Sequence, residues 1–268
     1  MPQRTGKPPE TEQATASSLV GSDRVLAVLT ELAVHPAGIG LDELARRLGS
    51  PKPTVHRALA ALRRAGFAGR SGRGHYLLGD EFIRLAFTNH EARPDHLRVL
   101  PVLEKLAERH GETAHYAVLD DRSVVYRSKV DPVCGAVKLT STIGGRNPAH
   151  STAVGKLLLS YHLPDDNAVI DWVAAGELQP RTDRTKTTAA ELSAELSLIR
   201  KYGYSTDDQE NEPGIHCLAV PIFLSSPTTP SGAISISALT YRTPLQQLID
   251  DLPAIRTIVG DRTHAAAS

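Results

Sequence analysis

The stretch that decides the fold is GLDELARRLGSPKPTVHRALAALRRAGF, residues 40–67. Its apolar residues recur at the three- and four-residue spacing of a helix face, in two runs separated by a short turn. Gly49 ends the first run and Gly66 ends the second. Ser50 is a candidate cap for the second helix, and the prolines after it fall in the first turn, where a missing backbone N–H costs little. The apolar positions of the two runs are Leu41, Leu44, Ala45, Leu48, Val55, Leu59 and Leu62.

The second helix is polar at its leading end, where a core helix would carry apolar residues. The projecting side chains are Lys52, Thr54, His56 and Arg57. In a helix-turn-helix, the second helix enters the major groove of DNA with its N-terminus first. Basic side chains and threonine there can contact phosphates and base edges, and the helix N-terminus itself attracts phosphate. The pattern predicts a DNA-reading helix, and the alternative is a solvated face of a small bundle.

The segment before this stretch predicts one more helix. Residues 22–36, SDRVLAVLTELAVHP, have an amphipathic pattern, with Ser22 or Asp23 as the N-cap and a proline beyond the end. Residues 1–20 are polar, contain proline and lack the apolar core of a signal peptide. We expect them to form a disordered tail.

The segment after the stretch predicts a β-hairpin. Residues 65–78, AGFAGRSGRGHYLL, contain two short strand patterns around a turn rich in glycine and arginine. Arg70 and Arg73 at this turn are then placed for phosphates or the minor groove. A hairpin directly after a helix-turn-helix is a wing, so residues 21–79 are predicted to form a winged helix-turn-helix domain that binds DNA.

Composition and charge fit a DNA-binding module carried by a second domain. The 268 residues are 41% apolar and 22% charged, as in soluble globular proteins. No apolar run approaches the ~18–20 residues of a membrane span, and two cysteines favour a reducing compartment, so we expect a cytoplasmic protein without membrane partners. The formal net charge is zero, but residues 21–79 carry nine Lys and Arg against four Asp and Glu, whereas residues 80–268 carry 19 against 24. This asymmetry favours a polyanion partner for the first segment.

The rest of the chain predicts an α+β domain. Residues 80–95 favour a linker helix broken at Pro94, and residues 96–268 mix strand and helix patterns around an antiparallel sheet. Within that domain we expect a helix from about Ser151. The other expected elements are two strands around Asp120-Asp121, a strand over 135–141, helices over 167–176 and 188–203, two strands within 204–239 and one closing helix over 244–263.

Four segments together resemble the IclR family of bacterial transcriptional regulators. They are PKPTVHRALAALRRAGF, PAHSTAVGKLLL, GYSTDDQENEPGIHCLAVPIF and GAISISA. The resemblance implies an N-terminal winged helix-turn-helix and a C-terminal GAF-like domain that binds a small effector. It also implies dimers through the DNA-binding domain and, often, dimers of dimers through the effector domain. Pro53 departs from the family, where a small hydroxyl residue is common, and Thr54 is the candidate to replace that contact.

The effector site is predicted from both the residues and the resemblance. A helix that begins near Ser151 offers free backbone N–H groups to an oxygen-rich ligand. Ser235 and Ser237 share one face of a strand, which is unusual for a buried face unless it meets a polar ligand. The resemblance implies that the pocket is lined by Gly144, Gly145, Ser151, Thr152, Ala153, Val154, Asp207, Cys217, Ser235 and Ser237. The alternative is a solvated sheet face with Cys217 as a small core residue.

Together these features predict a sequence-specific transcriptional regulator, expected to be a repressor, that binds a double-stranded DNA operator as a homodimer or a dimer of dimers. The expected effector is a small polar metabolite such as an organic acid or a sugar derivative, and we expect no cofactor. One alternative is a ligand-binding or enzymatic protein whose N-terminal bundle mediates protein contacts, and another is a nonspecific DNA-architectural protein. His150, Asp207 and Cys217 could be catalytic or metal-binding residues, but their spacing matches no catalytic or zinc motif. We therefore expect His150 to hydrogen-bond a loop backbone.

Overall fold

The computed structural model of the chain describes residues 21–71, 74–91, 95–133, 139 and 141–260. The chain divides into two compact units, residues 1–93 and 94–268. Among the described residues, no helix is both long enough and apolar enough to cross a membrane.

The N-terminal unit contains the predicted helix-turn-helix. Its elements are helices α1 (Gly21–Ala33), α2 (Leu41–Arg47), α3 (Lys52–Arg64) and α4 (Asp80–Glu91), and strands β1 (Ala68–Arg70) and β2 (Tyr76–Leu78). The apolar faces of α1, α2 and α3 meet in one core, in which Val28, Leu44 and Leu59 have no exposed surface. The apolar residues recur at helical spacing, so each helix has one apolar face. Burying these faces against each other fixes the turn between α2 and α3.

Both predicted caps in this unit are wrong. The structure describes α1 from Gly21 onward, so Ser22 and Asp23 lie inside the helix. Helix α3 has Pro51 as its N-cap, and the Ser50 hydroxyl donates instead to the Leu48 carbonyl at 3.1 Å. Proline fixes the φ angle that the entry to the helix needs, so no side-chain cap is required there.

The predicted wing is present as an antiparallel hairpin. Strands β1 and β2 pair with Ala68 opposite Leu78 and Arg70 opposite Tyr76. The buried Tyr76 also joins this hairpin to the helices, because its backbone exchanges two hydrogen bonds with that of Ile39. Arg73 lies outside the described residues.

The C-terminal unit is built on a six-stranded antiparallel sheet with the order β5-β4-β3-β8-β7-β6. Its strands are β3 (Thr113–Asp120), β4 (Ser123–Val130), β5 (Arg146–Pro148), β6 (Ser205–Asp208), β7 (Ile215–Ile222) and β8 (Gly232–Leu239). Its helices are α5 (Asp95–His110), α6 (Ala153–His162), α7 (Asp166–Ala174), α8 (Ala189–Tyr202), α9 (Leu245–Asp250) and α10 (Leu252–Val259). The predicted α+β class is confirmed.

Two apolar cores cover the two faces of this sheet. Helices α6, α7 and α8 pack on one face, and helices α5, α9 and α10 pack on the other. Side chains alternate between the faces of a strand. In β8, Ile234 and Ile236 belong to the core under α5, so Ser235 and Ser237 face the side of the sheet that α6 covers.

Four element predictions in this unit need correction or go untested. The two strands expected within 204–239 are three, because a loop after Asp208 separates β6 from β7. The helix expected from about Ser151 begins at Ala153, because Ser151 belongs to a short 3-10 turn and Thr152, which follows it, has an extended backbone. The single closing helix is two helices, since the chain leaves helical geometry at Asp251, and α10 begins at Leu252 with Pro253 in its first turn. The strand expected over 135–141 lies almost entirely outside the described residues.

Candidate DNA-binding surface and effector cavity

The leading end of α3 presents the predicted polar side chains. Lys52, His56 and Arg57 are exposed, and Thr54 is half-buried. Lys52 Nζ lies 2.9 Å from a carboxylate oxygen of Asp42, and both side chains are largely exposed. An exposed ion pair of this kind contributes ~1 kcal/mol or less, so it does not prevent Lys52 from meeting a phosphate.

Two more arginines of this unit are candidate DNA contacts. Arg70, on the wing, is exposed, and its guanidinium carbon lies 5.9 Å from the centre of the Tyr76 ring. Arg24 of α1 lines one groove together with Thr54 and Arg57. Sequence reasoning missed Arg24, because an arginine on the polar face of an amphipathic helix reads as ordinary surface.

The C-terminal unit contains a cavity of about 40 Å³ between the sheet and the start of α6. This volume is enough for about three water molecules. Its described lining is His115, Tyr126, Leu139, Ser141, Asn147, Thr152, Ala153, Val154, Asp207, Asn211, Glu212, Ile215, Cys217, Ser235 and Ser237. Seven of the ten predicted effector residues are therefore brought together here.

Strand register explains why the polar side chains converge. Asp207 of β6 is opposite Cys217 of β7, which is in turn opposite Ser237 of β8. One row along, Ser235 is opposite His115 of β3. Since partners across an antiparallel sheet point to the same face, these rows form one polar patch beneath α6.

The other predicted residues of this region lie outside the lining. Gly144 and Gly145 hold the loop before β5, where their backbones bond to that of Tyr126. The Ser151 hydroxyl is 3.2 Å from the side-chain oxygen of Asn211 and supports the cavity from behind. His150 Nε2 lies 3.1 Å from the Gln179 carbonyl, so it does bond a loop backbone, although in a later loop than the one around Gly144.

His115 is the main lining residue that sequence reasoning missed. Its Nε2 is 2.7 Å from the Ser141 hydroxyl, and its Nδ1 is 3.3 Å from the Ser237 hydroxyl. The ring of Tyr126 packs against it at 4.9 Å between centroids, with an angle of 47° between the ring planes. The sequence TAHYAV, residues 113–118, could have indicated this role, because alternation along a strand places His115 on the face opposite Tyr116.

Burial shifts the pKa values of three titratable side chains that line the cavity. It lowers the pKa of His115 to about 3, helped by the nearby Lys129, so the imidazole is uncharged at neutral pH. Burial raises the pKa of Asp207 to about 7, although the Glu210 amide donates to its carboxyl oxygen at 2.7 Å. The pKa of the Cys217 thiol is raised as well, and its sulfur bonds the Ser237 hydroxyl at 3.2 Å. A buried thiol of this kind is a poor nucleophile.

The start of α6 adds directed hydrogen-bond donors. The Thr152 hydroxyl accepts from the Gly155 amide at 3.2 Å and donates to the Pro148 carbonyl. The amides of Ala153 and Val154, at the first two helical positions, have no acceptor within the helix. No arginine or lysine side chain belongs to the described lining, and the described residues contain no metal-binding cluster. The arrangement can form hydrogen bonds with the hydroxyl and carboxyl oxygens of a small ligand.

Replacing Thr152 with alanine is expected to lower the free energy of unfolding by about 1 kcal/mol, because the Gly155 amide loses its cap. Thr152→Ser keeps the hydroxyl and should retain most of the stability. Urea unfolding of the full chain measures the difference. An alanine variant as stable as the wild type would contradict this assignment of the cap.

The chain combines a winged helix-turn-helix, whose helix α3 is basic at its leading end, with a domain that contains a polar cavity. These two features together define a ligand-responsive DNA-binding regulator. Comparison with known families is consistent with this class. Residues 22–72 match the IclR helix-turn-helix domain, and residues 96–259 match the C-terminal domain of the bacterial transcriptional regulator IclR. The chain belongs to the IclR family.

Individual relatives align along most of the chain. The transcriptional repressor IclR of Escherichia coli strain K12 is 31% identical over 255 residues, which are 94% of this chain and 90% of that protein. The HTH-type transcriptional regulator KdgR of the same organism is 32% identical over 221 residues, 82% of each chain. A crystal structure of a transcriptional regulator from Rhodococcus sp. RHA1 is 30% identical, with a TM-score of 0.74 over 89% of this chain and 94% of that one.

Proposed function

We propose that this protein is a repressor that binds its DNA operator in the cytoplasm as a homodimer or a dimer of dimers, and that a small polar metabolite in the C-terminal cavity controls the binding. The observation that carries the proposal is the pairing of two features in one chain. A basic helix end is exposed in one unit, and a polar cavity is built into the other.

In this account the first turn of α3 enters the major groove. Lys52, Thr54, His56 and Arg57 contact phosphates and base edges, while Arg70 and Arg73 of the wing contact phosphates or the minor groove. A two-fold dimer would place two such helices about 34 Å apart, one turn of DNA, on a near-palindromic site. The exposed positions of Lys52, His56, Arg57 and Arg70 support this assignment.

The effector is an organic acid or a sugar derivative. Three serine hydroxyls, a neutral imidazole, a thiol and a tyrosine hydroxyl line the cavity, and they suit the hydroxyl groups of such a molecule. A carboxylate would be placed at the amides of Ala153 and Val154, where the helix dipole favours negative charge. An apolar ligand would offer no acceptor to the Ala153 and Val154 amides.

A ligand screen against the protein–DNA complex tests the control. Fluorescence anisotropy of a labelled operator is measured while short organic acids, sugar acids, neutral sugars and apolar aromatic compounds are added singly. We expect at least one hydroxylated acid or sugar to change the operator affinity by about 5- to 150-fold, the usual range of allosteric coupling.

Two serine variants locate the effect in the cavity. Ser235→Ala removes a lining hydroxyl and should weaken the response to the active compound. Ser197→Ala, an exposed position on α8, is the matched control and should respond as the wild type does. A response confined to apolar aromatic compounds would contradict the proposed effector class.

A further inference from the structure

A cluster of four charged side chains lies behind the cavity. Lys156 of α6 has no exposed surface, and its Nζ lies 2.5 Å from Glu210 Oε1 and 2.9 Å from Glu195 Oε1. Lys186 Nζ approaches the same Glu210 oxygen at 3.0 Å from the solvent side. Two lysines and two glutamates make the cluster neutral as a whole.

This cluster is not an obvious device for stability. Removing an ion pair from water costs about as much as the pairing returns, and apolar residues of similar size often serve a core equally well. The second carboxylate oxygen of Glu210, Oε2, is buried without a hydrogen-bond partner among the described residues. An arrangement that leaves a buried oxygen unsatisfied calls for a role beyond packing.

Glu210 connects the cluster to the cavity through its backbone. Its amide donates to Asp207 Oδ1 at 2.7 Å, and its carbonyl accepts from the Thr185 hydroxyl at 2.6 Å. The preceding residue, Gln209, has a φ angle of +62°, a left-handed conformation that residues other than glycine adopt only when the surroundings enforce it. Glu210, which is paired with Lys156, follows Gln209 directly in the chain.

We propose that Lys156 and Glu210 are positioning residues for the effector cavity: their buried ion pair fixes the turn over residues 207–211, and the two charges control the carboxyl group of Asp207 that faces the ligand. The inference rests on the proposed function of the cavity, but its test requires no effector. Neither residue lines the cavity, so each acts through Asp207 rather than on the ligand.

The charged and titratable groups around Asp207 come from each element packed against it. They are Lys156 of α6, Glu210 and Glu212 of the loop, Cys217 of β7, Tyr126 of β4 and His115 of β3. Among them Lys156 favours the ionised form of Asp207, and Glu210 disfavours it. The two proposed residues therefore act on the pKa of Asp207 with opposite signs.

Carbon-13 NMR of the full chain, labelled at the aspartate carboxyl carbons, tests the proposal without any ligand. Asp207→Asn identifies the signal, which is then followed through a pH titration in each variant. Lys156→Met should raise the pKa of Asp207, and Glu210→Gln should lower it, each by about one unit. Lys186→Met is the matched control, because Lys186 contacts the same carboxylate from the exposed side, and it should cause a much smaller change.

Shifts of opposite sign in the two variants would support the proposal, because a merely structural role would not reverse with the sign of the removed charge. A titration of Asp207 that is the same in the wild type and in Glu210→Gln would overturn it. Glu210→Gln decides the matter even if Lys156→Met does not fold, because glutamine keeps an oxygen for Lys156 and the backbone amide for Asp207. If the ligand screen fails but the two variants still shift the pKa of Asp207 in opposite directions, the proposed effector class is rejected and the role of Lys156 and Glu210 is not.

Discussion

Replacing Arg57 with glutamate is expected to lower operator affinity by about a hundredfold or more. A single arginine contact to a guanine or phosphate contributes about 1–3 kcal/mol, and charge reversal adds repulsion from the phosphates. Arg57 is exposed on the second turn of α3, in the groove shared with Thr54 and Arg24. Anisotropy titration with operator DNA at constant salt measures the loss.

The control for this variant lies on the same helix. Arg64→Glu changes the net charge equally, but Arg64 lies two turns further along, at the C-terminal end of α3. Because a recognition helix enters the groove by its N-terminus, we expect a loss of less than about tenfold. Equal losses in the two variants would mean that α3 does not enter the groove in the expected direction.

Replacing Asp207 with asparagine is expected to stabilise the protein at alkaline pH by about 4 kcal/mol. The pKa of Asp207 rises from its usual 3.8 to about 7 on folding, because the carboxyl group is buried. The folded state therefore binds the proton more tightly than the unfolded state does. The wild-type protein therefore loses stability as the pH rises from about 4 to about 7, and the loss persists above pH 7. The pKa difference of roughly three units, at about 1.36 kcal/mol per unit, gives its size.

Urea unfolding of the wild type and the variant at pH 5 and pH 8 checks this sign. The stability advantage of the asparagine variant should widen by about 2–3 kcal/mol between these values. Asp208→Asn, the same change at the neighbouring exposed residue, controls for the general effect of removing a carboxylate. An advantage that is constant with pH would show that Asp207 ionises normally in the folded protein.

The sequence predicts the helix-turn-helix and the wing because their signals are local. Helical spacing, a glycine at each helix end and an arginine-rich turn all lie within about 40 residues. The prediction of Ser50 as the N-cap of α3 is wrong, and the reason is also local. Serine is the commoner cap, but the rigid φ of Pro51 already sets the helix entry.

The cavity is only partly predictable, because its walls meet through strand pairing. The alternation of Ser235 and Ser237 with isoleucines is visible in the sequence, whereas the register that brings His115 opposite Ser235 is not. Lys156 is a clearer case. A lysine within an apolar helix reads as solvent-exposed, and only the structure places Glu195 and Glu210 around its amine.

This chain is expected to bind one DNA sequence in strong preference to others. The most direct test is binding of the purified full chain to the DNA immediately upstream of its own gene and to random DNA of equal length, across a salt series. If that region contains no site, selection from fragmented DNA of the source genome supplies one. We predict affinity for the selected site at least about a thousandfold above that for random DNA, weakening steeply as salt rises. Equal affinity for both would indicate an architectural role, and no binding to any genomic fragment would contradict the claim.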